Sequence, residues 1–153
     1  MRPLFAALAV CALLAACSRG EPQSGLPTSN IVIATHGSPA KFTVEIAADD
    51  ASRDKGLMYR TTLPPDAGML FEYPKPVLAV FWMKNTPLSL DMIFIKQDGT
   101  ISTIATDTIP YSEDKIPASE PVRAILEIGG GRAAALGIQP GDKVQGAIFG
   151  NAP

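Results

Sequence analysis

The sequence predicts a mainly β (α+β) fold: one small mixed or antiparallel β-barrel-like domain with two short helices. Polar and apolar residues alternate from Phe42 to Ile46, as in a strand that buries one face. Short apolar runs of this kind recur along the chain, separated by turn-forming residues. No long helical segments alternate with them, which argues against a doubly wound sheet and favours a barrel.

The individual elements follow from the same patterns. Asp49 or Asp50 can cap a first helix over residues 50–55, and Gly56 can end it. Gln97-Asp98-Gly99 is a turn that joins two strands into a hairpin. The second helix is predicted over residues 131–136, and residues 110–121 are predicted to form a polar loop. The strands are predicted at residues 31–33, 42–46, 69–71, 77–83, 91–95, 101–105, 123–128 and 144–149.

The N-terminus has the layout of an export signal. One positive charge, on Arg2, precedes an apolar run that is too short to span a bilayer. The run ends in Leu14-Ala15-Ala16-Cys17, which resembles the bacterial lipobox, the motif in which the cysteine receives a lipid before cleavage. We therefore predict a signal peptide over residues 1–16 and lipidation of Cys17. The alternative is an ordinary signal peptide cleaved after Ala16.

A lipid on Cys17 would hold the protein on a membrane surface without spanning the membrane. Two or more acyl chains make such an anchor stable. The predicted location is the bacterial cell envelope, facing the periplasm, and Ser18 favours the outer over the inner membrane. Residues 17–30 are rich in Gly, Pro and Ser and are predicted to be a flexible tether with a reach of roughly 20 Å. Residues 31–150 form the predicted domain.

Charge and residue counts exclude several kinds of site. The net charge is −2 and no cluster of Lys and Arg is present, so a nucleic-acid partner is not expected. His36 is the single histidine, and Cys11 leaves with the signal while Cys17 takes the lipid. Multi-histidine metal sites, cysteine zinc sites and cysteine nucleophiles are thereby excluded. We expect neither a metal ion nor a cofactor, and the sequence predicts no particular protein partner.

Four motifs stand close together in the middle of the chain. They are Gly56-Leu57-Met58-Tyr59-Arg60, Gly68-Met69-Leu70-Phe71, Phe81-Trp82-Met83-Lys84-Asn85-Thr86 and Leu90-Asp91. With Leu126-Glu127 and the stretch from Gly137 to Val144, they resemble the pattern of the domain-of-unknown-function 192 family. The resemblance covers about residues 42–144. It implies a compact, β-rich domain that is often exported, and it implies no established activity.

The same motifs contain the candidate binding residues. Aromatic area and directional polar groups that converge on one place make a typical ligand site, here for an anionic or hydroxylated molecule or an envelope component. The candidates are Arg60, Trp82, Lys84, Asn85, Thr86 and Asp91. The structural alternative makes Trp82 a core anchor, Asn85 a turn residue and Arg60–Asp91 an ion pair.

Two acidic residues stand inside apolar strands, Asp91 and Glu127. Burial can raise the pKa of such a carboxyl group and make it a general acid, so both are weak catalytic candidates. The function favoured by the sequence is a non-catalytic exported domain that binds a small molecule or an envelope component. The alternatives are an envelope hydrolase that uses Asp91 and Glu127, and a structural or interaction module.

Overall fold

The computed structural model describes residues 25–152 of the chain. The predicted signal peptide, the lipidation site Cys17 and most of the predicted tether lie outside the described residues. The first strand begins at Thr28, which lies within the range predicted as tether and before the predicted domain start at Ile31.

Strands dominate the described part of the chain. They are β1 (Thr28–Ala34), β2 (Ala40–Ala47), β3 (Ala67–Val77), β4 (Val80–Phe81), β5 (Leu90–Ile95), β6 (Ile101–Ala105), β7 (Ile116–Pro117), β8 (Val122–Gly129) and β9 (Lys143–Gln145). The helices are α1 (Asp50–Lys55), α2 (Arg132–Leu136) and a 3-10 turn (Ala147–Phe149). Seven strands form one sheet in the order β6-β5-β8-β3-β2-β1-β9, and β4 pairs with β7 in a separate ribbon.

The large sheet curls until its two edges meet. Among its described strands, each neighbouring pair is antiparallel except β2 and β3, which are parallel and are connected through α1. An isolated antiparallel bridge between Thr100 and Lys143 joins the start of β6 to the start of β9. The predicted fold, a small mixed barrel-like domain with two short helices, is confirmed.

A hydrophobic core lies on each face of this sheet. Side chains alternate along β8, so that Leu126 and Ile128 enter one core while Ile125 enters the other. The first core fills the inside of the curled sheet, with Ile33, Val44 and Ile93 as members. The second core covers the opposite face with side chains from β3, β4, β5 and β8, among them Met69, Phe71, Phe81, Met92 and Phe94.

The first helix and the hairpin form as predicted. Asp49 caps α1 by accepting a hydrogen bond from the Ser52 backbone N–H at 2.8 Å, and Gly56 ends the helix with a φ of 47°. The hairpin of β5 and β6 is confirmed. Helix α2 begins at Arg132, one residue later than predicted, because Gly131 adopts a φ of 76° and stands outside it.

Three predicted elements are wrong. The strand predicted at residues 77–83 is reduced to β4, while β3 runs on through Pro74 and Pro76 to Val77. Proline lacks the N–H that a strand interior needs, and β3 accommodates it where its pairing with β8 is interrupted between Glu72 and Val77. The loop predicted at residues 110–121 contains β7, and the last predicted strand ends at Gln145 before the 3-10 turn.

Candidate functional site

A cavity of about 640 Å³ opens on the face of the sheet that carries the second core. Helix α1 and the segment after it form one side, β3 and β8 form the floor, and β4 with the following turn forms the other side. The lining residues are Asp50, Arg53, Asp54, Lys55, Gly56, Leu57, Met58, Phe71, Tyr73, Val80, Phe81, Trp82, Thr86 and Glu127. Cavities of this size commonly hold small organic molecules.

Glu127 provides the carboxyl group in the floor of the cavity. It lies opposite Met69 on β3 and Met92 on β5, and only 4% of the residue is exposed. Alternation along β8 sends Leu126 and Ile128 into the first core, so Glu127 must face the second. No described residue donates a hydrogen bond to its carboxyl group, and burial raises the pKa of Glu127 to about 8.

Four aromatic residues line the cavity together with Glu127. Phe71 and Phe81 meet edge to face with their ring centroids 4.9 Å apart. Tyr73 lies at the side of the cavity, where burial raises the pKa of its hydroxyl group and the nearby Arg53 partly opposes that shift. Trp82 is 44% exposed at the mouth. The cavity therefore combines aromatic side chains and charged residues of α1 with a buried acid in its floor.

The end of α1 brings its neighbouring segment against the aromatic wall. Gly56 has no Cβ, and a Cβ built there would lie only 3.1 Å from Cζ of Phe71. Its positive φ also suits glycine and turns the chain so that Leu57 and Met58 follow along the cavity. A glycine at this position thus permits the close contact between the helix end and Phe71.

Arg53 is fixed in place by backbone and side-chain partners. Its Nη1 donates to the carbonyl oxygens of Ala48 and Glu72, the second at 2.7 Å, and its Nη2 pairs with Asp50 at 2.6 Å. The guanidinium also lies 5.1 Å from the centroid of the Tyr73 ring. Arg53 therefore ties α1 to β3 at the edge of the cavity.

Of the predicted binding residues, Trp82 and Thr86 line the cavity. Lys84 places its Nζ 5.1 Å from the Trp82 ring centroid, so it covers that ring. Asn85 has a φ of 55°, and its backbone carbonyl accepts a hydrogen bond from the Tyr59 N–H at 2.8 Å. Its side-chain Nδ2 lies 3.8 Å from Sδ of Met58, a lining residue. Asn85 thus holds the turn beside the cavity.

Arg60 does not line the cavity. Its two Nη atoms bind the two carboxylate oxygens of Glu45 at 2.6 and 2.8 Å, in a pair that is largely shielded from solvent. The structural alternative drawn from the sequence included an ion pair between Arg60 and Asp91, and this pair is not formed. A bidentate pair with Glu45 leaves Arg60 occupied, so the anion site expected from Arg60 and Lys84 does not form around Trp82.

Asp91 lies away from the cavity and is fully buried. Its Oδ1 accepts hydrogen bonds from the backbone N–H groups of Asp107 (2.8 Å) and Gly131 (3.0 Å), and its Oδ2 accepts one from Ala133 (2.7 Å). The carboxylate therefore satisfies the first N–H groups of α2 and anchors a neighbouring loop. These contacts make Asp91 a structural residue.

Asp91 and Glu127 are on opposite faces of the sheet. In the pairing of β5 with β8, Asp91 is opposite Ile128 and Met92 is opposite Glu127. Paired residues share a face and successive residues alternate, so the two carboxyl groups point away from each other. The two-carboxylate cleft that the hydrolase alternative requires is not formed by these residues.

The described residues contain no grouping of three or more His, Cys, Asp or Glu side chains suited to holding a metal ion. Nor does any helix within residues 25–152 have the length and hydropathy needed to cross a membrane.

Several lining residues were not singled out from the sequence as site residues, among them Arg53, Met58, Tyr73 and Phe81. Tyr73 stands between Glu72 and the segment Pro74-Lys75-Pro76, a context without a recognisable strand pattern. The signal available for the floor was Glu127 itself, a single acid within the apolar strand sequence Ile125-Leu126-Glu127-Ile128.

Comparison with known proteins gives a family and two similar crystal structures. The family model DUF192, described as "Uncharacterized ACR, COG1430", matches residues 31–146. A protein from Sinorhizobium meliloti 1021, named a "putative transcription regulator", is 42% identical with a TM-score of 0.79; the match covers 84% of this chain and 99% of that one. A protein of unknown function from Novosphingobium aromaticivorans DSM 12444 is 41% identical with a TM-score of 0.79, over 91% and 99% of the two chains. No curated protein matches the chain.

Proposed function

The chain belongs to the DUF192 family, whose description names no activity, and we propose that it is a non-catalytic binding protein of the cell envelope. Its ligand is a small organic molecule with a flat apolar part, bound in the cavity between α1, β3, β4 and β8. A lipid on Cys17 would keep this domain at the membrane surface. The sequence Leu14-Ala15-Ala16-Cys17 supports that anchor.

One observation carries the binding proposal: a cavity of about 640 Å³ has aromatic walls and a buried carboxyl group in its floor. A buried polar group beside aromatic side chains in a concave surface is typical of sites that orient a ligand. The geometry gives less support to a hydrolase, because Asp91 is occupied and faces away from Glu127.

An interaction module is the second candidate, and it is favoured by the exposed apolar side chains of the domain. These are Tyr59, Leu78, Val80, Trp82, Ile109 and Tyr111. Val80 and Trp82 stand at the cavity itself, so a partner could cover the same region. The name of the Sinorhizobium protein does not guide the proposal, because a net charge of −2 without a basic cluster is poorly suited to nucleic acid.

The chain supplies its own reporter for the test. Trp82 is the single tryptophan and lines the cavity, so its fluorescence should respond directly to a bound molecule. Aromatic fragments with neutral, cationic and anionic substituents are titrated against the protein and screened by thermal unfolding. A ligand at a hundred times its Kd should add about 2.7 kcal/mol to the free energy of unfolding.

Two matched variants locate the response. Met58→Phe adds volume at the cavity and should weaken binding of a hit at least tenfold. Val32→Phe makes the same kind of change at a second cavity, of about 500 Å³, beside β1 and β2, and should leave binding unchanged. Failure of every fragment to change Trp82 fluorescence or unfolding would overturn the binding proposal, as would hits that are insensitive to Met58→Phe.

A further inference from the structure

We infer that the ligand of this cavity carries a protonated amine, and that its ammonium group forms an ion pair with Glu127. This inference rests on the proposed binding function and specifies the chemical class of the ligand. It follows from the difference between Glu127 and the other buried acids, from the state of the cations nearby, and from the aromatic walls.

The other buried acids of the described chain have partners. Asp91 accepts three backbone N–H groups, Glu45 pairs with Arg60, and Asp142 accepts the Gln139 N–H at 2.8 Å. Glu127 is just as buried but receives no hydrogen bond from the described residues, and it lines the cavity. No fully buried side-chain oxygen of the described residues lacks a partner, so the carboxyl oxygens of Glu127 reach the space of the cavity, where a ligand could supply the donor that the protein does not.

The cations near the cavity are in no position to supply a donor to Glu127. Arg53 is bonded to two carbonyl oxygens and Asp50, and Arg60 is bonded to Glu45. Lys84 lies over the outer Trp82 ring, and Lys55 is exposed on α1. A carboxylate ligand would therefore meet no uncommitted buried cation among the described residues, whereas an ammonium group would meet a buried acid beside aromatic side chains.

The elements around Glu127 bring several ionisable groups to the lining of the cavity. Helix α1 contributes Asp50, Arg53, Asp54 and Lys55, β3 contributes Tyr73, and β5 contributes the apolar Met92. Glu45 on β2 lies farther along the same row, across Met69, and is neutralised by Arg60. Because burial raises its pKa to about 8, Glu127 is mostly neutral at pH 7 while the cavity is empty. Binding of a cation should ionise it and release a proton.

Proton release gives the inference a measurable signature. The probes are 2-phenylethylamine, the neutral 2-phenylethanol and the anionic 3-phenylpropionate, which share a ring and differ in charge. An alkylamine titrates near pH 10, about as lysine does, so the amine probe stays charged throughout. Calorimetry in two buffers of different ionisation enthalpy should show release of about one proton per bound amine near pH 6.5. The affinity for the amine should rise about tenfold per pH unit between pH 6 and 7 and level off above pH 8.

Glu127→Gln and Glu72→Gln form the matched pair of variants. Glu72 is a partly buried acid on the neighbouring strand that does not line the cavity. Glu127→Gln should lower affinity for the amine at pH 8 at least tenfold, abolish its pH dependence and leave the alcohol unaffected. Glu72→Gln should change none of these. If Glu127→Gln does not fold, the proton release measured on the unsubstituted protein decides the matter.

The outcomes separate the two proposals. Preferential binding of 2-phenylethanol or 3-phenylpropionate, or binding of the amine without proton release, would overturn the amine inference and leave the binding function standing. Absence of binding by all three probes at millimolar concentration would overturn the amine inference. The binding function would then fall only if the wider set of fragments also gave no response.

Discussion

Two buried carboxyl groups on neighbouring strands meet opposite surroundings. Asp91 on β5 accepts three backbone N–H groups, so its carboxyl oxygens are used within the fold. Glu127 on β8 faces methionines and aromatic rings, so burial acts on it without compensation. Asp91 therefore has a structural role, whereas Glu127 has a protonation state that a bound ligand can change.

The raised pKa of Glu127 makes stability depend on pH. Between the ordinary glutamate pKa of 4.5 and the folded value of about 8, the folded protein keeps a proton that the unfolded chain releases. The free energy of unfolding should therefore fall as pH rises through this window, by up to about 1.4 kcal/mol per pH unit. Urea unfolding at pH 5 and pH 7.5 measures the slope.

Glu127→Gln should remove that part of the slope, because glutamine does not titrate. The free energy of unfolding of the variant, relative to that of the unsubstituted protein, should therefore be higher at pH 7.5 than at pH 5. The exposed Glu113→Gln is the control and should leave the slope as it is. A slope that is the same in Glu127→Gln and in the unsubstituted protein would show that Glu127 titrates normally.

At the scale of elements, α2 depends on a single side chain from another strand. A helix of five residues is far too short to be stable by itself. Asp91 reaches it from β5 and accepts the N–H groups of Gly131 and Ala133 at its start. The helix is thus positioned by the sheet, and its own sequence contributes little.

Asp91→Asn should accordingly destabilise the domain by about 2–4 kcal/mol, because the amide turns one acceptor oxygen into a donor and leaves a buried N–H without a partner. Denaturant unfolding measures the loss, and hydrogen exchange should show the amides of Gly131 and Ala133 exchanging faster. The exposed Asp66→Asn serves as the control. Unchanged protection of those two amides would contradict the anchoring role.

Local sequence signals predicted the elements that depend on local interactions. The Asp49 cap and Gly56 define α1, and the turn at Asp98-Gly99 defines the hairpin of β5 and β6. The ribbon of β4 with β7 escaped prediction, because two short segments 36 residues apart are strands only by virtue of each other, as in the pair of Val80 with Pro117. Long-range pairing of this kind leaves no periodic signal in either segment.

The sequence predicted only part of the candidate site, because some of its contacts also depend on long-range strand pairing. Trp82 and Thr86 were identified because motif residues crowd around them, and they do line the cavity. Arg60 and Asp91 belong to the same motifs but serve other contacts, which depend on the strand register. The register, and hence the face on which each carboxyl group lies, comes from the packing of the whole sheet, and no short motif encodes it.

At the scale of the whole molecule, the predicted lipid anchor would determine where the cavity lies in the cell. We expect Cys17 to carry a lipid that retains the protein in the membrane fraction, and Cys17→Ser to release it into the soluble fraction. Mass spectrometry of the membrane-bound protein should find the lipid on Cys17, and separation of the two membranes tests the preference for the outer one that Ser18 suggests.

Cys11→Ser is the matched control, because Cys11 lies within the predicted signal peptide and should be absent from the mature protein. This variant should stay with the membrane. Finding mature protein that starts at Cys17 without lipid would refute the anchor and would support an ordinary signal peptide.

The bridge between Thr100 and Lys143 has a consequence for the synthesis and folding of the protein. A chain is synthesised from its N-terminus, so β1 and β6 exist well before β9, the strand that pairs with β1 and is bridged to the start of β6. Until Lys143 emerges, the free edge of β1 offers unpaired backbone groups to any neighbouring strand. The stretch between β6 and β9 thus sets the length of the interval in which this edge of β1 stays unpaired. A chaperone that shields such edges would be most needed in that interval.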